Sequence, residues 1–253
     1  MRLLFSISYD GTSYAGWQRQ PNALTIQEVV EQALYTITRS EVSIVGCGRT
    51  DASVHASAYF FHCDILEEKV VLDKIVYQLN SVLPADIVVH DFKKVQNEFS
   101  ARYQATKRSY EYYLHTQHDP FIRQYSYYYP QLTQLSTDHI EEFCQFIAKQ
   151  KEFKPLCKSN SGVNHYKCDI YDVRLVELEG GRYRFCIQAN RYLRGMIRLM
   201  VGAMLNYGRS KLTMEQLTTA FEGQSPLPLN WSVPGHGLFL SEVLYEEITK
   251  PQQ

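Results

Sequence analysis

The order of apolar patterns over roughly the first hundred residues constrains this chain more than any other feature. Residues 2 to 9 read as a strand that stops at Asp10-Gly11-Thr12, a strong turn signal. Thr25 followed by Glu28 has the form of a capping box, and Val29, Val30, Ala33, Leu34 and Ile37 then recur at helical spacing. Two apolar stretches, Val42 to Cys47 and Ala58 to Cys63, read as strands. Val71, Leu72, Ile75, Val76 and Leu79 mark a second helix, and Pro84-Ala85-Asp86 leads into a strand from Ile87 to Phe92. The resulting order, β-α-β-β-α-β, is that of a ferredoxin-like unit.

The remainder can be read in the same order. Lys107 to His115 alternates Tyr110, Tyr112 and Leu114 against Ser109, Glu111 and Tyr113, as a strand does. Ser136 to Lys149 is helical, with Ile140, Phe143, Phe146 and Ile147 inward. Cys168 to Leu178 and Tyr183 to Ala189 form a hairpin around Glu179-Gly180-Gly181. Residues 193 to 207 are helical, a further helix spans Thr213 to Glu222, and Leu238 to Leu244 is a last strand. The segment from Glu152 to Tyr166 shows little periodicity. The expectation is an α+β protein of two ferredoxin-like, RRM-like halves side by side, residues 1–103 and 104–253, with a cleft between them for a ligand.

Composition excludes several classes. With 45% apolar and 21% charged residues among 253, the chain is that of a globular protein rather than a disordered one. The N-terminal apolar run is too short for a signal peptide and no stretch reaches transmembrane length, so a cytoplasmic protein without membrane association is expected. The six cysteines are dispersed, with no CxxC pair and no metal-ligand spacing, and read as small buried hydrophobes in a reducing compartment.

Between the two middle strands of the first half lies Gly48-Arg49-Thr50-Asp51-Ala52-Ser53-Val54-His55-Ala56. An Arg and an Asp two residues apart sit there among small residues that let a ligand approach the backbone. A neighbouring guanidinium favours the ionised carboxylate, which is how a nucleophilic or general-base Asp is built. The alternative is an Asp that caps nearby turn amides. His55 follows Asp51 by four residues, but in a turn the two need not face each other. His55 is therefore given a lesser role, structural or in contact with the ligand.

Charge is unevenly spread. From Gly180 to Met214 there are seven cations (Arg182, Arg184, Arg191, Arg194, Arg198, Arg209 and Lys211) and no Asp or Glu. The balancing acids lie elsewhere, notably Glu242, Glu246 and Glu247. Arg191, Arg194 and Arg198, at i, i+3 and i+7, would form one stripe of a helix. Such a run is either a solvated face or the footprint of a polyanion, and Arg102, Lys107 and Arg108 could extend it. Arg198 lies among Met196, Ile197, Leu199 and Met200 and, if buried, needs an acid: Asp51 is the candidate, against another carboxylate or a side chain that reaches water. Tyr110 follows Lys107-Arg108, and either packs as a strand residue or stacks on a base.

These segments carry a family resemblance. GRTDASVHA is similar to the GRTDAGVHA motif of the TruA-type tRNA pseudouridine synthases, in which the Asp is essential, with Ser53 replacing the usual Gly. Asp10-Gly11-Thr12 with Tyr14 to Gln20 resembles the family's N-terminal DGT-Y-GWQ-Q signature. Phe99 to Tyr103 and Lys107 to Tyr110 are similar to its ARF and RRY motifs, with Tyr103 in place of Phe and Ser109 in place of Arg. Met196-Ile197-Arg198 followed by Val201-Gly202 resembles its MVR-x-x-VG helix, and Gly237 to Leu240 its closing GL-L strand.

The resemblance implies isomerisation of uridine to pseudouridine at positions 38, 39 and 40 of the tRNA anticodon stem-loop, with no cofactor and no metal. It implies that Asp51 acts on the ribose, Arg198 pairs with Asp51, Tyr110 stacks on the target uracil and Leu238 lines its pocket. Arg49, His55, Lys107, Arg108, Arg191 and Arg194 are the candidate contacts to RNA. It also implies a homodimer with each tRNA crossing both subunits. Two other classes compete: an RNA-binding or chaperone-like module, which needs no carboxylate facing a polyanion, and a carboxylate-dependent hydrolase of nucleosides or small glycosides, which leaves the Arg-rich run unexplained and expects a second acid near the first.

Overall fold

The computed structural model describes residues 1–158, 162 and 164–246. The chain divides into two compact units, the first comprising Met1–Lys107 and the stretch from Phe239 onward, the second Arg108–Leu238. Both are mixed α/β, with five α-helices among the described residues.

The first unit contains β1 (Arg2–Tyr9), α1 (Ile26–Thr38), β2 (Ile44–Gly46), β3 (His55–Asp64), α2 (Leu72–Val82) and β4 (Ile87–Val95). Alternation in β1 sends Leu3, Phe5, Ile7 and Tyr9 into the core, where Phe5 stacks on Phe61 at 5.0 Å. β1 lies between β4 and β3, antiparallel to both. The other edge of β3 is shared. Its C-terminal half takes β2 antiparallel (Ile44↔Cys63, Gly46↔Phe61), and its start takes the final strand in parallel, at His55↔Phe239 and Ala56↔Leu240. Thr25 caps α1 by accepting from Glu28 N at 3.4 Å. α1 buries Ile26, Val30, Ala33 and Leu34, and α2 buries Ile75 and Leu79.

The second unit contains β5 (Lys107–His115, its first residue in the first unit), β6 (Tyr127–Tyr128), α3 (Thr137–Lys149), β7 (Ile170–Leu178), β8 (Arg182–Ala189), α4 (Met196–Gly208) and α5 (Met214–Glu222). β8 pairs antiparallel with β5 and with β7. Glu179, Gly180 and Gly181 separate the paired Leu178 and Arg182, and the two glycines, at φ 73° and 68°, take the left-handed conformation that glycine adopts at little cost. α4 is apolar around nearly its whole circumference and is correspondingly buried. Gly202 on α4 has no room for a side chain, because a Cβ there would lie 1.9 Å from Trp231 O.

β9 (Leu238–Leu244) follows the second unit in sequence, yet Phe239 onward clusters with the first. Besides its bridge to β3, it is tied there by Thr106 N donating to Leu244 O at 2.9 Å and by Lys107 Nζ against Glu242 at 3.0 Å. The division thus falls after Lys107 rather than after Tyr103, and it returns the end of the chain to the N-terminal unit. Glu247 lies outside the described residues.

Candidate active-site elements

Asp51 is half-buried in the loop between β2 and β3, and the N-terminal DGT-Y-GWQ segment holds that loop in shape. Trp17 N donates to Thr50 O at 3.1 Å, Ser53 N to Tyr14 O at 3.2 Å, and Val54 N to Asp51 O at 3.2 Å. Tyr9 and Thr50 share a hydroxyl hydrogen bond of 2.9 Å, and Tyr59 donates to Gly48 O at 2.5 Å while stacking on Trp17 at 4.0 Å. Two glycines press on the loop backbone. A Cβ on Gly11 would lie 2.0 Å from Val54 O, and one on Gly16, which has φ +97°, would lie 2.4 Å from Thr50 O and 3.0 Å from the Asp51 carbonyl carbon. The aromatic and glycine pattern of residues 9 to 17 is therefore a cradle for the Asp51 turn, a role its irregular sequence did not reveal.

Ser53 has φ +61°, the left-handed region glycine occupies at little cost. The loop keeps a glycine-type geometry while carrying a serine. Arg49, two residues before Asp51, is exposed.

His55 opens β3 and is 1% exposed. Its Nδ1 lies 3.1 Å from Gly11 N and 3.0 Å from an Asp10 carboxylate oxygen, and its ring stacks on Phe239 at 4.5 Å. This burial gives His55 a structural place, joining the first turn, β3 and β9, and leaves it no surface for RNA.

In the second unit, Tyr110 on β5 is 7% exposed and meets Tyr192 edge-on at 5.1 Å. Tyr192 O–H reaches two carbonyls, Arg108 O at 3.0 Å and Ile187 O at 3.1 Å. Burial, reinforced by Tyr110, pushes the Tyr192 phenol far above its ordinary range, so it stays a donor and keeps its ring against Tyr110. Sequence reasoning missed Tyr192, which has no periodic or motif signal of its own.

Arg198 lies in the first turns of α4, half-buried. Its Nε donates to Val233 O at 2.7 Å and its carbonyl accepts from Val233 N at 3.2 Å. The strap 231–233 is thereby fastened to α4 where Gly202 lets it pass. Leu238, 6% exposed, follows Gly237, which is pressed against Tyr112 and Tyr113 O.

The proposed helical stripe does not form. Gly195 adopts φ +71° at the start of α4, so Arg191 and Arg194 precede the helix and only Arg198 is on it. Arg191 donates to His165 Nε2 at 2.8 Å, whereas Arg194 is exposed. Part of the cationic run is neutralised, since Arg184 pairs with Glu111 at 3.2 Å. Of the remaining candidates, Lys107 is paired with Glu242 and Arg108 is 9% exposed with Nη1 donating to Asn190 O. Among the described residues no group of three or more His, Cys, Asp or Glu is placed to hold a metal ion, and no helix is long and apolar enough to cross a membrane.

A family model described as tRNA pseudouridine synthase matches residues 6–104 and 150–246. tRNA pseudouridine synthase A of Bacteroides thetaiotaomicron is 39% identical over 251 residues, covering 97% of this chain and 91% of that protein. The protein of the same name from Parabacteroides distasonis is 37% identical over 246 residues, covering 97% and 96%. A solved Cbf5–Nop10–Gar1 complex aligns over 81% of this chain and 45% of that one, at 16% identity and a TM-score of 0.36, a level at which two chains need not share a topology. On the family model and the near full-length relatives, the chain belongs to the tRNA pseudouridine synthase family.

Proposed function

We propose that this protein isomerises uridine to pseudouridine in the tRNA anticodon stem-loop, at positions 38, 39 and 40. The observation that carries the reading is the family match over both units, joined to a loop whose backbone is fixed on every side around one half-buried carboxylate, Asp51. The reaction breaks the uracil N1–C1′ bond, rotates the base and forms C5–C1′, with the C5 proton lost and N1 reprotonated. No electrons are gained or lost overall, so no co-reactant is required.

Cationic character develops at C1′ as the bond breaks, and a fixed carboxylate stabilises it as in glycosidases. Asp51 fills this role. Arg198 supplies the counter-charge, Tyr110 stacks on the uracil with Tyr192 behind it, and Leu238 lines the pocket. Support for these roles is the hold that the strap 231–233 has on Arg198 and the edge-on packing of Tyr110. Arg49, Arg191 and Arg194 contact the RNA. A uridine inside a stem is out of reach until flipped, at about a few kcal/mol, and phosphate contacts offset that cost.

The fold is two ferredoxin-like halves. The first unit supports this with its strand order β4-β1-β3, β2 lying on β3, and one helix in each crossover. The protein acts in the cytoplasm, a reading that the six free cysteines support. It acts as a homodimer, supported by family membership alone and testable by sedimentation equilibrium.

Carbodiimide mapping of tRNA from cells lacking the gene, after incubation with pure protein, tests the reading. Stops are expected opposite positions 38 to 40 with wild type and not with Asp51→Ala, which still binds tRNA. Binding without modification by wild type would leave only an RNA-binding module.

A further inference from the structure

A cleft of about 440 Å3 in the second unit is lined by Lys158, Arg194, Leu199, Asn230 and Ser232. Its chemistry is one-sided. Neither Lys158 nor Arg194 is ion-paired with a described residue, whereas other cations of this unit are, as at Arg184–Glu111 and Lys151–Asp169. Ser232 carries a hydroxyl shut off from solvent with no hydrogen-bond partner among the described residues. A buried hydroxyl without a partner is unfavourable, and a ligand oxygen would satisfy it.

The cleft also lies at the start of α4. Gly195 immediately precedes that thirteen-residue helix, and no side chain caps its first turn. The aliphatic part of Lys158 crosses this point, with Cγ, Cδ and Cε each 2.9 Å from where a Cβ on Gly195 would stand. Lys158 N donates to Arg194 O at 3.0 Å, which fixes the two cationic residues beside each other. Asn230 and Ser232, which also line the cleft, flank Trp231, whose carbonyl rests on Gly202, and Val233 is bonded to Arg198. Unpaired cations, a buried hydroxyl donor and the positive end of a helix together select a compact anion.

We propose that this cleft seats one phosphate of the RNA backbone, held by Lys158 and Arg194 with Ser232 and Asn230 as donors. The proposal rests on the reading that the protein acts on tRNA and adds a specific phosphate anchor to it. Because the strap that walls the cleft also holds Arg198, seating a phosphate here would fix the substrate relative to a residue of the proposed catalytic set.

The test is fluorescence-anisotropy titration of an unmodified tRNA transcript over a series of salt concentrations. For Lys158→Gln/Arg194→Gln, affinity near physiological salt is expected to fall about tenfold. The slope of log K against log salt should become shallower by roughly 0.7–0.9, the loss of one phosphate contact. Lys158→Arg should restore binding, and Ser232→Ala should weaken it about three- to tenfold without changing the slope. Lys149→Gln, an exposed cation at the end of α3, controls for general charge loss and should leave the slope as in wild type. Circular dichroism and thermal melts confirm that each variant is folded.

If wild type binds and modifies tRNA but the double variant matches its affinity and slope, the phosphate assignment is wrong and the functional reading stands. If wild type neither binds tRNA nor forms pseudouridine, the functional reading fails and takes the assignment with it. Inorganic phosphate that binds wild type at millimolar concentration, with tRNA affinity indifferent to the double variant, would make the cleft a free-anion site and overturn the RNA proposal.

Discussion

Replacing Gly16 with alanine should damage the protein in two separable ways. The added Cβ would lie 2.4 Å from Thr50 O, about 1 Å short of the 3.4 Å at which ordinary contact begins, and its other near neighbours are the backbone of Asp51 and Ala52. No flexible side chain can yield there, so the loop itself must move. A positive φ costs alanine about 1–2 kcal/mol, and overpacking adds about 1–3 kcal/mol. Stiffening of the unfolded chain returns about 0.4–1 kcal/mol. A net loss of about 1–4.5 kcal/mol follows, measurable by urea denaturation. A carboxylate shifted by about 1 Å costs on the order of a hundredfold in rate. Single-turnover modification of tRNA should therefore slow by that factor under conditions where circular dichroism shows the variant folded. Stability within about 0.5 kcal/mol of wild type, with an unchanged single-turnover rate, would refute the idea that residues 9 to 17 set the Asp51 loop.

Four further outcomes follow from the same structure. Ser53→Gly removes the left-handed strain at φ +61° and should raise stability by about 0.5–1 kcal/mol in urea melts, whereas a loss would contradict the strain. Gly202→Ala would drive its methyl into Trp231 O, loosening the strap on Arg198, and should lower both the melting temperature and the modification rate. His62 and His115 have pKa values depressed mainly by burial, so each binds its proton less readily folded than unfolded. Their contribution is complete above about pH 6.5 and declines as pH falls below it. Urea midpoints measured from pH 8 downward should drop below that value, and His62→Gln should flatten the drop. Burial pushes the Cys63 and Cys168 thiols up to about 12 and Cys144 to about 11, and only Cys157 among the six cysteines is not buried. Ellman's reagent at pH 8 should label one thiol quickly and the others only on unfolding.

Periodicity located the elements whose faces differ. The strands Arg2–Tyr9, Lys107–His115 and Leu238–Leu244 and the helix Thr137–Lys149 follow their apolar alternation and caps, because burial of one face is a local, repeating signal. Tyr127–Tyr128 is too short to alternate and went unseen. The spacing of Arg191, Arg194 and Arg198 implies a stripe that does not form, because spacing alone cannot register that Gly195 turns left-handed and sets the start of α4. In the same way, the Asp51 turn is legible as a motif, but its support by Gly11, Tyr14, Gly16 and Trp17 depends on contacts more than thirty residues apart in sequence. His55 shows the limit most clearly. Four residues from Asp51 it invites a catalytic pairing, yet its ring is buried between Asp10-Gly11 and Phe239, the latter supplied by the far end of the chain.

The most direct test of the account is tritium release from tRNA labelled at uracil C5, with wild type beside Asp51→Ala. Release by wild type and none by the variant, with both binding tRNA equally, is the predicted result. Equal release by the two would contradict the assignment of Asp51, and no release by wild type despite intact binding would contradict the isomerisation itself.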